Sequence, residues 1–440
     1  MKQHYPVFLI AAALALCSAS CASTSFSYPG AHTIPEDVIG VSPDRTGLSP
    51  QYVEKLDEFG VTWIRSAADW RNIESQEGVW DFSGWDQYIS RAEAAGKKIV
   101  MLLCYDVPWL YKDNKEHRNF TEREIGYFLK YVEQMVTRYR GRIGAYEIWN
   151  EPNGWFWYGS NRRFFALSAA AGKKIKELDP DAVVLAGSLF RVTPRFVRGM
   201  FKAGAFDNVD GISLHPYSSD AIHTVRQIDK LRKIMDEFNC AKPIWITEVG
   251  YATGGLYFSQ CNLENYPEYV VKTLSGLAVR KLEHIVWYEL MDEYDAGQQR
   301  NNWWAGQYFG LMYPNGDLKN GGEAFKLCSR YLPGAEYRPE LPLRNNVQRT
   351  VTSLYFRKNN EHTLLLWDNA ASAAAAPKTV YVSAPGTPAL WRHNITGGGA
   401  EETGNEAVFR LTNEPVFLTW TTEEGFSGGA PVLSGRAPGR

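Results

Sequence analysis

The chain has 440 residues, of which 45% are hydrophobic, 14% aromatic and 22% charged, a composition typical of a soluble globular protein. This length is enough for one large domain and a smaller one, and the composition excludes a disordered or fibrous chain. With 47 basic and 49 acidic residues the formal net charge is −2, so the chain as a whole attracts neither nucleic acid nor an anionic membrane.

The N-terminus has the layout of a bacterial export signal. A basic start is followed by an apolar run over residues 7–16 and by small residues over 18–23. The run is too short to span a bilayer, and no later stretch resembles a membrane span. Two interpretations of residues 1–22 stay open, namely a cleaved secretory signal or a lipoprotein signal that places a lipid anchor on Cys21. Either one predicts a secreted, periplasmic or cell-surface protein.

Eight short β-branched runs then alternate with longer helical patterns, the signal of repeated βα units. The predicted strands are residues 38–41, 61–65, 98–104, 145–149, 182–186, 211–215, 243–247 and 284–288. The predicted helices are residues 49–59, 85–95, 122–140, 164–178, 193–203, 224–238 and 266–280. This order predicts an α/β fold, a (β/α)8 TIM barrel over residues 35–332.

A second region begins where the helical periodicity ends. Six β-rich runs separated by turn residues occupy 350–356, 363–368, 379–383, 389–393, 407–411 and 416–421. They predict a C-terminal β-sandwich over residues 340–422, which either packs as an appendage on the barrel or serves as an independent sugar-binding module. Residues 423–440, rich in Gly, Ala, Pro and Ser, are predicted to form a disordered tail.

TIM barrels carry their reacting groups at the C-terminal ends of the strands, and two glutamates occupy such positions here. Glu151 follows the fourth predicted strand and Glu248 follows the seventh. Cleavage of a glycosidic bond needs a carboxylic acid to protonate the leaving oxygen and a carboxylate to meet the cationic sugar carbon. The other strand ends add groups suited to binding a sugar or supporting a carboxylate: Arg65, Asn150, His215, Tyr217 and Trp287, the last as a floor under the sugar.

Aromatic side chains in the loops at the same end of the barrel are candidates for stacking on sugars. They are Trp109, Trp155 and Trp304, although packing of one loop on another explains any single one equally well. The sequence has no phosphate-cradling glycine loop, no HExxH helix and no clustered metal ligands, so we predict no metal and no cofactor.

Two motifs resemble those of the clan A retaining glycoside hydrolases. They are the segment from Trp149 to Pro152 and the segment from Trp245 to Glu248, which are similar to the acid/base and nucleophile motifs of the clan. The stretch over residues 70–82 and the trailing β-sandwich are similar to family 39 and related families. The resemblance implies that Glu151 is the general acid/base, Glu248 the nucleophile, and Asn150 a partner of the substrate 2-hydroxyl. It also implies a secreted enzyme that cleaves O-glycosidic bonds of oligo- or polysaccharides by double displacement.

These roles require specific surroundings for the two carboxyl groups. Arg65 and the Tyr217 hydroxyl are expected to favour the charged form of Glu248, whereas Glu151 needs a less polar setting to hold its proton. Strict strand alternation would aim Asn150 and Glu151 at opposite faces. Both side chains can therefore serve the substrate only if the chain turns at the strand end before residue 152.

Two other classes of protein share these features. A carbohydrate-binding barrel without catalysis would not need both glutamates together with their supporting residues. A transglycosidase would use the same covalent intermediate but pass it to a sugar instead of to water. Both alternatives stay open at the level of the sequence.

Overall fold

A computed structural model describes residues 30–43, 47–255, 258–293, 308–339, 343–344, 350–370, 377–384, 386–387, 389–423 and 431–435. After a short strand β1 (His32–Thr33), eight parallel strands close into a barrel. These barrel strands, β2 to β9, are Ile39–Val41, Trp63–Asp69, Lys98–Cys104, Ala145–Ile148, Val184–Phe190, Gly211–His215, Ile244–Val249 and Ile285–Trp287. Each strand pairs with the next, and β2 pairs with β9. The predicted TIM barrel is confirmed, and each predicted strand run overlaps an observed strand.

Helices surround the barrel. They are α1 (Pro50–Glu58), α2 (Trp70–Ile73), α3 (Ser83–Ala94), α4 (Glu122–Tyr139), α5 (Asn161–Leu178), α6 (Pro194–Lys202), α7 (Ala221–Glu237), α8 (Tyr266–Ala278) and α9 (Asn320–Tyr331). Local signals explain several starts: α1, α6 and α8 have proline in the first turn, and α4 begins with a capping box formed by Thr121 and Glu124. None of the described helices has both the length and the apolar character needed to cross a membrane.

Helix α9 was not among the predicted helices, because two glycines at its start weaken the helical signal. Close packing explains why glycine occurs there. A Cβ atom on Gly321 would lie 2.3 Å from the ring of Tyr266, and one on Gly322 would lie 2.7 Å from the carbonyl oxygen of Leu311. The helix therefore begins where only a bare backbone can approach α8 and the segment that follows the barrel strands.

The C-terminal region is a β-sandwich, as predicted. Its strands are β10 (Glu336–Arg338), β11 (Leu343–Arg344), β12 (Val351–Lys358), β13 (Glu361–Asp368), β14 (Lys378–Ser383), β15 (Trp391–His393), β16 (Ala400–Glu402), β17 (Glu406–Leu411), β18 (Val416–Thr421) and β19 (Val432–Ser434). One sheet has the order β1-β10-β12-β13-β18-β15-β16 and the other β11-β19-β14-β17. Apolar side chains of both sheets, such as Tyr355 and Leu418 facing Val380 and Phe409, form the core between them.

Two boundaries differ from the prediction. Strands β1 and β10 belong to the larger sandwich sheet although they lie outside residues 340–422, so the N-terminal segment ties the barrel to the sandwich. The predicted disordered tail is wrong at Val432–Ser434, which pairs with β14 and buries Leu433 completely. A strand of three residues is too short for the alternation of apolar and polar side chains to be recognised among the surrounding glycines and prolines. Residues 1–22, 424–430 and 436–440 lie outside the described part of the chain, so the signal and most of the tail stay predictions.

A buried ion pair connects α9 to the end of the barrel. The ammonium group of Lys319 lies 2.6 Å from one carboxylate oxygen of Asp292 and 2.8 Å from the hydroxyl of Thr253. Both charged side chains are completely inaccessible to solvent. Burial raises the pKa of Asp292 to about 6 and lowers the pKa of Lys319, because each charge has left water. The pair persists because each charge compensates the other.

We expect Lys319→Met to lower the free energy of unfolding by about 3–5 kcal/mol, since it leaves Asp292 as an uncompensated buried charge. Chemical denaturation measures this change. The matched control is Lys55→Met, which removes a partly exposed ion pair with Glu58 at 2.8 Å and should cost at most about 1 kcal/mol. Equal small losses in both variants would show that the buried pair does not hold α9 in place.

Candidate active site

The C-terminal ends of the barrel strands bring six of the predicted side chains together. Arg65 comes from β3, Asn150 and Glu151 follow β5, His215 ends β7 and Tyr217 follows it, and Glu248 lies in β8. These side chains contact one another through the hydrogen bonds described below.

The guanidinium of Arg65 is the centre of this group. Its Nε donates to Oε2 of Glu147 at 2.7 Å, Nη1 to Oε2 of Glu248 at 2.8 Å, and Nη2 to Oδ1 of Asn150 at 3.0 Å. Arg65 is only 4% exposed, so these charge-assisted bonds form away from bulk water. The rigid planar group thereby fixes side chains from three barrel strands relative to one another.

Glu147 is a functional residue that the sequence analysis missed. It lies within β5 and is fully buried, with one oxygen bonded to Arg65 and the other accepting the Thr247 hydroxyl at 2.7 Å. Because Glu147 lies inside an apolar strand, the sequence analysis interpreted it only as a strand residue. The available signal was its charge, because a carboxylate in a barrel interior requires a cation or a hydrogen-bond donor as partner.

Glu248 is surrounded by donors. The Tyr217 hydroxyl donates to Oε1 at 2.6 Å, and Arg65 donates to Oε2 at 2.8 Å. Hydrogen bonds from a cation and a hydroxyl favour the charged form of a carboxyl group. Glu248 is therefore equipped to act as a carboxylate.

Glu151 has the opposite environment. Burial raises the pKa of its carboxyl group well above the ordinary value of 4.5, and the nearby negative charge of Glu248 raises it further. Its Oε1 lies 3.0 Å from Nδ1 of His215. Glu151 thus retains its proton at a pH at which an exposed glutamate is ionised, so the site holds one acid and one base.

His215 connects the acid to Glu147. Its ring is completely buried, and this burial, together with the charge of Arg65, lowers the pKa of the imidazole well below 6.5, so the ring is neutral. The Thr247 hydroxyl donates its proton to Glu147 and lies 3.1 Å from Nε2 of His215. Thr247 can then only accept from His215, which places the ring proton on Nε2 and leaves Nδ1 as the acceptor for Glu151.

The backbone turns sharply after β5, which the joint use of Asn150 and Glu151 requires. Trp149 and Glu151 have φ angles of +63° and +42°, and the Glu151 N–H donates to the carbonyl of Ser188 at 2.9 Å. Ser188 also has a positive φ, 41°, and sits at a register shift between β6 and β7. Residues other than glycine cost about 1–3 kcal/mol each in such conformations, which occur where function requires them. The turn directs both Asn150 and Glu151 to the barrel mouth.

Trp287 does not join this group, and its predicted role as the floor under the sugar is wrong. The side chain is completely buried, and its indole packs against Tyr266 of α8 and Phe325 of α9, outside the barrel. The next residue, Tyr288, is partly exposed and packs with the aromatic cluster around Tyr217. Neighbouring residues of a strand point to opposite faces, so Trp287 faces the helices while Tyr288 lies beside the Tyr217 cluster.

The three tryptophans predicted to lie in the loops at the barrel mouth differ in their surroundings. Trp109 donates its indole N–H to the carbonyl of Glu74 at 2.7 Å and is partly buried by loop packing. Trp155 is 62% exposed and stacks on Phe190. Trp304 lies outside the described residues.

Glu151, His215 and Glu248 also form a group of metal-ligand types, with one ligand atom from each within 4.8 Å of the others. A cation placed there would face the guanidinium of Arg65, which is bonded to Glu248 at 2.8 Å. It would also compete with the Tyr217 hydroxyl for the same carboxylate. The group is therefore better suited to proton transfer than to holding a metal.

Comparison with models of protein families matches residues 41–288 to the family described as cellulase (glycosyl hydrolase family 5). This stretch includes all eight barrel strands except the start of β2. Family 5 belongs to clan A, the clan that the sequence motifs indicated, with family 39 and related families as the nearest pattern within it. A search of curated protein sequences finds no match.

Solved structures share the fold. A family 39 glycoside hydrolase from Bacteroides cellulosilyticus WH2 is 18% identical with a TM-score of 0.70, and the match covers 89% of this chain and 81% of that one. A monomeric β-xylosidase from Caulobacter crescentus CB15 is 16% identical with a TM-score of 0.61, covering 89% and 98%. A family 30 endoxylanase from Clostridium papyrosolvens C71 is 13% identical with a TM-score of 0.59, also covering 89% and 98%. At these identities the likeness shows the barrel and sandwich architecture.

Proposed function

Because the chain belongs to the cellulase family, glycosyl hydrolase family 5, and is a glycosidase of clan A, we propose a retaining double-displacement mechanism. Glu151 is the general acid/base and Glu248 the nucleophile. The substrate is an oligo- or polysaccharide, which the protein hydrolyses at an O-glycosidic bond. Export from the cytoplasm, as a secreted protein or one lipidated at Cys21, is part of the proposal and rests on the layout of residues 1–23.

One observation carries the proposed mechanism: two carboxyl groups that lie close together have opposite protonation environments. Carboxylate oxygens of Glu151 and Glu248 lie within 4.8 Å of each other. Retaining glycosidases hold their two carboxyls about 5–5.5 Å apart, whereas inverting enzymes separate them by about 6.5–9.5 Å to admit a water. The short separation supports direct attack by Glu248 on the sugar.

In the first step the Glu248 carboxylate forms a bond to the anomeric carbon. The bond from that carbon to the leaving oxygen breaks, and the proton of Glu151 passes to this oxygen. In the second step Glu151, now a carboxylate, takes a proton from water, and the water oxygen displaces Glu248. Two displacements at one carbon retain its configuration.

The neighbouring groups have defined tasks in this mechanism. Arg65 and the Tyr217 hydroxyl orient the Glu248 carboxylate through bonds of 2.8 and 2.6 Å. Arg65 also occupies Oδ1 of Asn150, which directs the amide N–H groups of Asn150 to act as donors to the sugar 2-hydroxyl. Interactions of this kind strengthen as charge develops on the sugar.

We expect Glu248→Gly to abolish hydrolysis, because no nucleophile remains. Glu151→Ala should slow cleavage of substrates with poor leaving groups by about 10²–10⁴-fold. It should slow glycosylation by an activated aryl glycoside much less, since that leaving group needs no proton. Steady-state and pre-steady-state rates on the two substrate types measure the difference.

The matched control is Glu237→Gln, which changes an exposed carboxylate paired with Arg198 on the outer helices and should leave both rates unaltered. Full activity of Glu248→Gly would reject the nucleophile. Equal slowing of both substrate types by Glu151→Ala would reject the acid. Glycan binding without turnover by the unaltered protein would identify a carbohydrate-binding barrel instead.

The hydrogen-bond chain through His215 makes a prediction about pH. Activity should fall as pH rises through the elevated pKa of Glu151. Thr247→Val removes the nearer hydroxyl partner of Nε2–H, at 3.1 Å, and leaves the Ser188 hydroxyl at 3.3 Å, which can donate to Nε2 instead. The imidazole proton can then move to Nδ1 and donate to ionised Glu151, which lowers the pKa of Glu151. The basic limb of kcat/KM should shift to lower pH by about one unit, the size expected for one hydrogen bond to a charged group.

Thr247→Ser is the matched control, because it keeps the hydroxyl that bridges His215 and Glu147. Its basic limb should coincide with that of the unaltered enzyme. A basic limb that does not move in Thr247→Val would contradict the assigned tautomer of His215.

A further inference from the structure

Three arginines lie along one side of the barrel mouth, and we call Arg162, Arg191 and Arg195 the arginine rim. Arg191 directly follows β6, whereas Arg162 and Arg195 lie in the first turns of α5 and α6. The loops after barrel strands and the starts of the following helices are at the C-terminal end of the barrel, the end that carries the two glutamates. All three side chains are exposed to solvent.

The rim adjoins the proposed acid/base residue, Glu151. Nδ2 of Asn153 donates to the carbonyls of Phe190 and Arg191 at 2.8 and 3.1 Å. The Arg191 N–H donates to the carbonyl of His215 at 3.0 Å, and the His215 ring contacts Glu151. The backbone of Arg191 is therefore held beside the acid. Because the proposed acid protonates the leaving oxygen, this side of the mouth receives the leaving-group part of the substrate.

The two helix starts of the rim are neighbours. Phe164 of α5 and Phe196 of α6 stack with ring centroids 5.9 Å apart, and Phe165 packs edge-on against Phe196 at 5.0 Å. These rings follow Arg162 and Arg195 in the same first turns. The rim is therefore one continuous stretch of the mouth.

No negative charge within the rim balances its arginines. Residues 152–163 and 190–195, which form this side of the mouth, contain four arginines and neither aspartate nor glutamate. None of the guanidinium groups of Arg162, Arg191 and Arg195 forms an ion pair with a carboxylate of the described residues. The formal net charge of the whole chain is −2, so this excess of positive charge is local.

Other arginines on the barrel helices show the contrast. Three of them pair with carboxylates at 2.6 Å: Arg198 with Glu237, Arg138 with Asp86, and Arg142 with Glu93. A cation in the first turn of a helix also faces the positive end of the helix dipole, which disfavours Arg162 and Arg195 in the free protein. Unpaired cations in such positions gain a compensating charge when an anion binds beside them.

The loop after β3 has the opposite charge. Residues 74–86 contain four acidic residues and no lysine or arginine, and Arg71 just before them is paired with Asp69 and Glu116. Strand β3 is separated from β6 by two strands of the barrel. The mouth is therefore positive beside the acid and more negative at the loop after β3, so an anionic ligand is favoured on the leaving-group side.

We propose that the arginine rim binds carboxylate or sulfate groups on the leaving-group part of the glycan. The natural substrate is then an acidic polysaccharide that carries negative charge on sugars beyond the scissile bond. The planar guanidinium donates paired N–H bonds to such groups, and a positive patch at the mouth raises the local concentration of a polyanion. This inference rests on the proposed function, because the acid role of Glu151 defines the leaving-group side.

The test compares glycans that share a backbone but differ in charge. The probes are carboxymethyl cellulose and cellulose sulfate against hydroxyethyl cellulose, and polygalacturonate against its methyl ester. Binding is measured by calorimetry with Glu248→Gln, in which hydrolysis is stopped. At least one charged glycan should bind about tenfold more tightly than its neutral partner at low salt. The difference should fall as added salt shortens the screening length from about 30 Å at 0.01 M to about 3 Å at 1 M.

The test variant combines Arg162→Gln, Arg191→Gln and Arg195→Gln. It should lose the about tenfold preference and bind the neutral glycan as before. For any pair that the unaltered enzyme cleaves, kcat/KM should fall on the charged member alone. Which charged glycan depends on the rim distinguishes a carboxylate from a sulfate.

The matched control combines Arg138→Gln, Arg142→Gln and Arg198→Gln, which change the net charge equally and should keep the preference. Equal affinity for charged and neutral members of every pair, or equal losses in both variants, would overturn the rim. Equally tight, rim-dependent binding of single-stranded DNA would also overturn it, because the surface would then accept any polyanion. If the proposed function fails instead, the unaltered protein cleaves no glycan, while the binding comparison still reports on the rim.

Discussion

The guanidinium of Arg65 is the contact on which the site depends. It is one buried cation bonded to two carboxylates, Glu147 and Glu248, and to the amide of Asn150. Ionisation of Glu151 would add a third carboxylate charge to the two that this one guanidinium already contacts. That imbalance, added to desolvation, keeps the proton on Glu151 and so separates the roles of acid and nucleophile.

The fold supplies the rigidity that this charge distribution requires. Barrel closure places the ends of β3, β5, β7 and β8 around one mouth, and helix α9 is fastened to the barrel by a buried ion pair. The turn at Glu151 is held by a hydrogen bond to Ser188, at a register shift in the neighbouring strand. Positive φ angles at both residues are conformations that the surrounding packing must compensate.

Much of this was accessible from the sequence. Buried parallel strands appear in the sequence as apolar runs, and eight such runs indicate a closed barrel. In a barrel the C-terminal ends of all strands lie around one mouth, so the polar residues at those ends were expected to lie close together. Side-chain direction and partners were less accessible. Glu147 and Thr247 were taken for ordinary strand residues, because their roles depend on contacts between strands that are distant in sequence. The direction of the Trp287 side chain was not accessible, because the strand Ile285–Trp287 is too short to show which face each of its residues occupies. Strand β19 was hidden by its short length among glycines and prolines, and helix α9 by the two glycines at its start.

The most direct test of the central claim is the ionisation of Glu151, measured by carbon-13 NMR of protein labelled at the glutamate carboxyl carbons. The Glu151 signal is identified by its loss in Glu151→Gln. We predict that this carboxyl titrates well above the ordinary 4.5, and that Glu248→Gln lowers its pKa because the neighbouring negative charge is removed. Titration at the ordinary value, or a pKa that does not respond to Glu248→Gln, would contradict the division of the two glutamates into acid and nucleophile.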